Sequence, residues 1–341
     1  MPVEFRMPAL GADMEEGTVV EWHVGPGSRV KRGEVVAVVE TDKGAIDIEI
    51  FEDGVVREIV VSPGTKVSVG TVLAKIDRVG EPEPVPLRPA SPSSPPSPVP
   101  SPPPVPPVPM AHPTTRAESA AGGTMREAIA SAMSRSKREI PHYYLSLPTD
   151  VTVPTAWLAA HNAAVPVTDR VLFVALLVKA VALACREVRG FSGFYRDGRY
   201  EESPQVHVGV AVALRGGGLV APAIMDTAEK PLSALMEDFR GLVTRARAGR
   251  LRASELAAPT IVLTSLGDST VDAVLPIIQP PQVAIVGAGA VAPRPWIVDG
   301  AVVPRQVLTL SLGADHRVTD GRLGAQFLAR VAQRLATPGR Q

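Results

Sequence analysis

The chain has 341 residues, 35 prolines, one cysteine, and 35 basic side chains balancing 35 acidic ones. Zero net charge offers no general attraction to nucleic acid or to an anionic membrane, and a single cysteine excludes a disulfide framework or a multi-cysteine metal site. With 45% apolar residues over a length of about two domains, the chain is able to bury a core, while proline stands at about twice its ordinary usage.

Met1-Pro-Val-Glu-Phe5 lacks the basic and apolar regions of a secretory leader. The apolar run from Val171 to Cys185 is broken by Lys179 and is too short to span a bilayer. The expectation is a cytoplasmic protein that binds neither membrane nor nucleic acid.

The first 80 residues repeat themselves at an offset of 37. Gly17-Thr-Val-Val-Glu21 answers Gly54-Val-Val-Arg-Glu58, Pro26-Gly27 answers Pro63-Gly64, and Gly33 answers Gly70. Each copy is a set of short Val-rich strands separated by turn residues, and two such copies predict a β-sandwich with pseudo-two-fold symmetry. Between the copies, two apolar strands flank Thr41-Asp-Lys-Gly44, which puts Lys43 at a hairpin tip.

Sixteen of the prolines fall between Glu81 and Pro113, with three charges and no aromatic residue. That composition cannot form a core and predicts a polyproline-II-rich arm. The division expected is 1–79, a Pro-rich linker 80–120, and a second domain 121–341.

In the second domain, Thr124 is a candidate cap for a helix reaching Arg138, with further helices at 170–188, from Pro231 onward, and at 323–335. Strands are predicted at 206–214, 219–224, 260–265, 282–286 and 306–312, giving an α/β fold with a mixed or mostly antiparallel sheet. Arg215-Gly-Gly-Gly218 reads as a hairpin turn, and Val286-Gly-Ala-Gly-Ala-Val-Ala-Pro293 runs into prolines instead of a helix, so neither is a phosphate loop. The chemistry concentrates in Ser311-Leu-Gly-Ala-Asp-His-Arg-Val-Thr-Asp-Gly321. His316 ends a strand among acids and a base, where an imidazole of ordinary pKa near 6.5 serves as a general base. The other five histidines read as structural or surface residues.

Residues 2 to 78 resemble the lipoyl domain of 2-oxo acid dehydrogenase complexes, through the Glu40-Thr-Asp-Lys43 turn, Pro8-Ala-Leu-Gly-Ala-Asp-Met14 and Pro26-Gly27 with Gly33. The rival biotin-carrier pattern carries Met-Lys-Met at the tip. Residues 124 to 337 resemble the dihydrolipoamide acyltransferase catalytic domain, through His316-Arg-Val-Thr-Asp-Gly321, Ile140-Pro-His-Tyr-Tyr144, Val208-Gly-Val-Ala-Val212, Thr264-Ser-Leu-Gly267 and Ile277-Ile-Gln-Pro-Pro-Gln282. The resemblance implies an all-β lipoyl sandwich, a barrel-sandwich hybrid, followed by an α/β chloramphenicol-acetyltransferase-like catalytic domain. It implies lipoate on Lys43, coenzyme A as substrate, and acyl transfer between them, with acetyl favoured. His316 then takes the thiol proton, the Thr264 hydroxyl supports the oxyanion, and Asp320 holds the local structure by an ion pair with an arginine. A homotrimer or a multiple of trimers is implied, with His316 of one subunit facing Thr264 of the next, beside 2-oxo acid decarboxylase and dihydrolipoamide dehydrogenase partners.

Three departures stand out. Thr264 occupies the place of a serine, with Ser265 as a substitute donor; Thr270 replaces a second glycine; and the ten residues 114–123 leave no room for a peripheral subunit-binding domain. The first two keep a second reading open, a catalytically weak lipoyl carrier and core scaffold.

Overall fold

The computed structural model describes residues 2–8, 14, 16–41, 44–78, 120–214, 218–267 and 269–340. Lys43, and the Pro-rich segment apart from Ala120, lie outside the described residues.

Eight strands build the first unit: β1 (Val3–Arg6), β2 (Glu16–Trp22), β3 (Arg29–Val30), β4 (Val35–Thr41), β5 (Gly44–Glu49), β6 (Gly54–Ile59), β7 (Lys66–Ser68) and β8 (Val72–Arg78). They form two sheets, ordered β1-β8-β6-β3 and β5-β4-β2-β7. The 37-residue repeat is reproduced in detail. The register of β2 shifts between Val19 and Glu21, and that of β6 between Val56 and Glu58. Gly27 donates to the Val56 carbonyl at 2.7 Å while Gly64 donates to the Val19 carbonyl at 2.7 Å, so the two copies cross-link each other. Gly17 and Gly54 hold equivalent places where the copies pack: a Cβ at 54 would meet Ile76 Cγ2 at 2.4 Å and the Asp77 carbonyl at 2.7 Å. Val19, Val39, Ile48 and Leu73 are fully buried between the sheets.

The second unit contains α1 (Ala120–Glu139), β9 (His142–Asp150), α2 (Thr152–Ala164), α3 (Phe173–Glu187), β10 (Gly193–Arg196), β11 (Arg199–Glu202), β12 (Val208–Val210), β13 (Val212–Ala213), β14 (Leu219–Val220), β15 (Ala223–Ile224), α4 (Leu232–Arg247), β16 (Leu251–Arg252), α5 (Ala253–Ala257), β17 (Ile261–Ser265), β18 (Ala284–Ala288), β19 (Ala292–Val298), β20 (Ala301–Asp315) and α6 (Gly321–Leu335). Its main sheet is mixed, ordered β15-β12-β17-β18-β20-β19, with β9 also on β20. β12, β17 and β18 run parallel; β20 runs against β18, β19 and β9.

α3 is buried along most of its length and packs on α4 and α6. Lys179, unlike the exposed Arg186 at the end of the helix, is buried too, and its Nζ donates to the Ala228 carbonyl at 2.9 Å and the Lys230 carbonyl at 2.6 Å. Those bonds satisfy the ammonium that would otherwise oppose burial. Burial still holds its pKa below the usual lysine range.

Several boundaries differ from the expectation. α1 starts at Ala120, so Thr124 lies inside it instead of capping it. The expected strand 219–224 is split because Pro222 has no N–H to donate to the ladder. β20 is longer than the expected 306–312, because it joins two neighbours in succession: β19 over Ala301–Val307, then β9 over Val307–Asp315.

Candidate active site

β20 ends at Asp315, and the chain turns at once. The Val318 and Thr319 N–H groups donate to the Asp315 carbonyl at 3.0 and 3.1 Å, and the His316 N–H donates to the Pro141 carbonyl at 3.0 Å. The Asp315 carboxylate is 0% exposed. It accepts the Arg317 backbone N–H at 2.9 Å and the Arg317 guanidinium at 3.0 Å and 3.1 Å from Nε and 2.6 Å from Nη2. The guanidinium lies 3.9 Å over the Tyr195 ring. The bond to Asp315 holds Arg317 above the usual arginine range. The turn is therefore braced from within the protein by the residues on either side of His316, and the imidazole between them is exposed.

Tyr143 lines the other side. Its ring meets His316 edge-on, with centroids 5.3 Å apart and planes at 70°. Its hydroxyl shares a 2.8 Å hydrogen bond with the Thr319 hydroxyl, and burial pushes its pKa up, so it remains a neutral phenol. Asp320 has a different partner from the one expected. Its carboxylate accepts the Leu323 N–H at 2.8 Å and caps α6, and among the described residues no arginine pairs with it. The aspartate–arginine ion pair of this turn is Asp315–Arg317. A cap of this kind contributes about 1 kcal/mol and fixes where α6 begins, five residues after His316.

Thr264 lies half-buried on β17. It is level with Gly287 of β18, which is level with Ser311 of β20. Among the described residues neither Thr264 nor Ser265 uses its hydroxyl in a hydrogen bond, which leaves both donors available. Gly287 is obligatory here, since a Cβ would come within 2.3 Å of Ser311 Oγ and 2.5 Å of Val274 Cγ1. From Ser311, the end of β20 at Asp315 is four residues along, about 13 Å, with His316 just beyond it, and Thr264 is two strands across, about 10 Å. Within one chain, the sheet holds the base and the hydroxyl apart.

His142 shows the opposite use of an imidazole. Its Nε2 accepts the Ile278 N–H at 3.1 Å, so Nδ1 carries the proton and donates to the Ile140 carbonyl at 2.9 Å. It clamps the 276–279 segment, where the Ser136 hydroxyl also donates to the Ile278 carbonyl at 2.5 Å, and burial lowers its pKa. His207 is likewise occupied, its Nδ1 accepting the Asp226 N–H at 3.0 Å. In the first unit, Thr41 pairs with Gly44 and closes β4 on β5 around positions 42 and 43. Sequence reasoning missed Tyr143 and the Asp315–Arg317 brace. The signal for the brace was the alternation Asp-His-Arg at the end of a strand, which sends the two charged side chains to one face and the histidine to the other.

A family model described as 2-oxoacid dehydrogenases acyltransferase (catalytic domain) matches residues 115–340. A second, biotin/lipoyl model, described as biotin-requiring enzyme, matches residues 3–76. The chain is 31% identical over 219 residues to the dihydrolipoyllysine-residue acetyltransferase component of the pyruvate dehydrogenase complex of Rhizobium meliloti, covering 63% of this chain and 49% of the relative. It is 32% identical over 214 residues to the lipoamide acyltransferase component of the branched-chain alpha-keto acid dehydrogenase complex of Bacillus subtilis, covering 62% and 50%. The match thus spans about half the length of these curated relatives. Among solved structures, a probable dihydrolipoamide acetyltransferase from Listeria monocytogenes superposes with a TM-score of 0.59 at 28% identity, covering 62% of this chain and 92% of that one.

Proposed function

The chain belongs to the 2-oxoacid dehydrogenase acyltransferase family, and from that premise we propose that it transfers an acyl group, acetyl by preference, between a lipoyl group on its own Lys43 and coenzyme A. The observation that carries this reading is His316, an exposed imidazole presented on a braced turn, in a chain whose first unit pairs Thr41 with Gly44, the residues that flank Asp42 and Lys43 in sequence.

Lipoate, held in amide linkage on Lys43, would supply in its reduced form the sulfur that bears the acyl group as a thioester, exchanged against the thiol of coenzyme A. The rest is work for the side chains. His316 accepts the proton of the coenzyme A thiol, which at neutral pH is mostly unionised and a weak nucleophile until it is removed. Asp315 and Arg317 are positioning residues: their mutual bonds leave His316 the free group of the turn. Tyr143 limits the swing of the imidazole. The Thr264 hydroxyl donates to the negative charge that develops on the thioester oxygen, a contribution of about 3–4 kcal/mol where such donors have been removed elsewhere. Its β-methyl restricts χ1 and points the hydroxyl in fewer directions than a serine would.

Because His316 and Thr264 of one chain are separated by strands, the complete site is assembled between chains, with His316 of one subunit against Thr264 of its neighbour in a trimer or a multiple of trimers. We assign residues 1–79 to the carrier, 80–120 to the arm and 121–341 to the catalytic domain. The partners are the decarboxylase that charges the carrier and the dihydrolipoamide dehydrogenase that reoxidises it, in the cytoplasm. Intact mass after co-expression with a lipoate ligase tests the carrier assignment: a lipoyl adduct that disappears in Lys43→Arg supports it, and an adduct that persists refutes it. Turnover of acetyl-CoA with free dihydrolipoamide tests the transferase; its absence in the assembled, wild-type protein favours the scaffold reading based on Thr264 and Thr270.

A further inference from the structure

Among the described residues the two units meet at β5, away from His316. β5 ends one sheet of the carrier, so its outer backbone groups have no partner within that unit. They are met by β16 of the catalytic unit, which pairs with β5 in parallel, Leu251 level with Ile46 and Arg252 with Asp47. Among the described residues β16 has no other strand neighbour. Side chains extend the contact on both faces. Ala253 is 4% exposed and belongs to the apolar core of the carrier, and Leu256 packs against the cores of both units. On the other face the Glu49 carboxylate, 6% exposed, accepts the Ser254 hydroxyl and lies 3.5 Å from Arg252 Nη1.

The catalytic side of this contact is built in advance. The buried Glu255 accepts the Arg252 N–H at 2.9 Å and Arg245 Nε at 3.0 Å, which fixes the corner from β16 into α5 without help from the carrier. α5 rests on β15, the edge of the main sheet and four strands from β20, about 19 Å across. A carrier held here is held at the opposite edge of the sheet from the His316 of its own chain.

We propose that Leu251–Ala257 is a docking surface for the β5 edge of the lipoyl unit of this same chain, a resting place distinct from the reaction site. The recognition is strand addition, in which backbone pairing gives the affinity and the flanking side chains give selectivity. The selective element is a carrier acid, Glu49, received by Ser254 and Arg252. Two residue pairs make a weak contact, which suffices because both partners are on one chain. Docking occupies the strand that begins one residue after Lys43, so the docked and travelling states of the carrier exclude each other. The inference stands on this contact alone and needs neither lipoate on Lys43 nor acyl transfer.

Disulfide trapping in the full-length chain tests it. Paired positions on adjacent strands are close enough to bridge, and the native Cys185 is buried with its thiol pKa pushed up, so it does not compete. Asp47→Cys with Arg252→Cys should form a disulfide under mild oxidation at least about tenfold faster than Lys66→Cys with Arg252→Cys, since Lys66 is on the far edge of the same carrier sheet. Adding Ser254→Ala, on the catalytic side only, should slow the 47–252 link by about tenfold, as expected for a lost hydrogen bond to a charged group. Equal rates for the two cysteine pairs, or no 47–252 link at all, would overturn the proposal. Both results are read on unlipoylated protein, so they stay separate from the fate of the transferase assignment.

Discussion

The carrier and catalytic units solve the placement of a reactive group in opposite ways. In the carrier, two copies of one motif lock into each other through Gly27 to Val56 and Gly64 to Val19. The two sheets are complete in themselves, and β4 pairs back onto β5 through Thr41 and Gly44. In the catalytic unit His316 is held by its immediate neighbours, while Thr264, the hydroxyl proposed to work with it, is two strands away from β20. One unit is closed on itself; the other braces an exposed imidazole at the end of its sheet. A carrier has to be complete wherever it goes, whereas a stationary site can share its parts between subunits.

The largest effect expected from breaking this contrast is on chemistry alone. His316→Ala should lower acyl transfer by about 10³-fold or more, as for loss of a general base, and should leave the melting of both units where it was, because the imidazole is exposed and makes no side-chain hydrogen bond among the described residues. Steady-state kinetics beside calorimetry checks both halves of that statement. Next comes Arg317→Ala, which leaves the fully buried Asp315 carboxylate without its counter-ion. A loss of about 3–5 kcal/mol in the catalytic unit is expected, measured by denaturant unfolding, with the carrier transition unmoved. Gly54→Ala reverses the target: the new Cβ meets the Asp77 carbonyl, a backbone atom unable to yield. The carrier should lose about 1–3 kcal/mol while the catalytic transition stays in place.

The smallest effect is in pH. His142 and His207 both have pKa values lowered by burial from 6.5, so the unfolded chain binds their protons more readily than the folded one. Their contribution is fully present above pH 6.5 and is lost as pH falls through 6.5 toward the lower folded values. In the carrier, the hydrogen bond from Arg78 holds Glu52 below its usual 4.5, and that contribution is lost only below about pH 4.5. Melting followed from pH 7 to 5 should therefore show the catalytic unit weakening first; a carrier that weakens first would contradict these assignments.

The two units also differed in how much could be read from their sequence. The 37-residue repeat declared itself because each copy folds through local turns, and the glycines at 27, 33, 64 and 70 all take positive φ where L side chains are strained. The hairpin around Lys43 was legible for the same reason. In the catalytic unit, β10 with β11 and β19 with β20 are hairpins that were overlooked, although Asp197-Gly198 and Asp299-Gly300 both adopt the left-handed pair of a type I′ turn. β19 was hidden by Pro293 and Pro295, which are tolerated there because β19 is an edge strand. His316 stood out by its neighbours, but the brace beneath it and the distance to Thr264 depend on pairing between strands far apart in sequence. No local pattern encodes that distance. The contact between β16 and β5, two residues each way, is shorter than any periodicity a sequence can display.

The central claim is that His316 and Thr264 work together only across subunits. Co-assembly of His316→Ala chains with Thr264→Ala chains tests it most directly, since each variant alone is impaired. If each site takes its histidine from one subunit and its hydroxyl from the next, a random equal mixture leaves about a quarter of the sites intact, and activity should recover to about a quarter of wild type. Activity that stays at the level of the two variants measured separately would contradict the account and return both residues to a single chain.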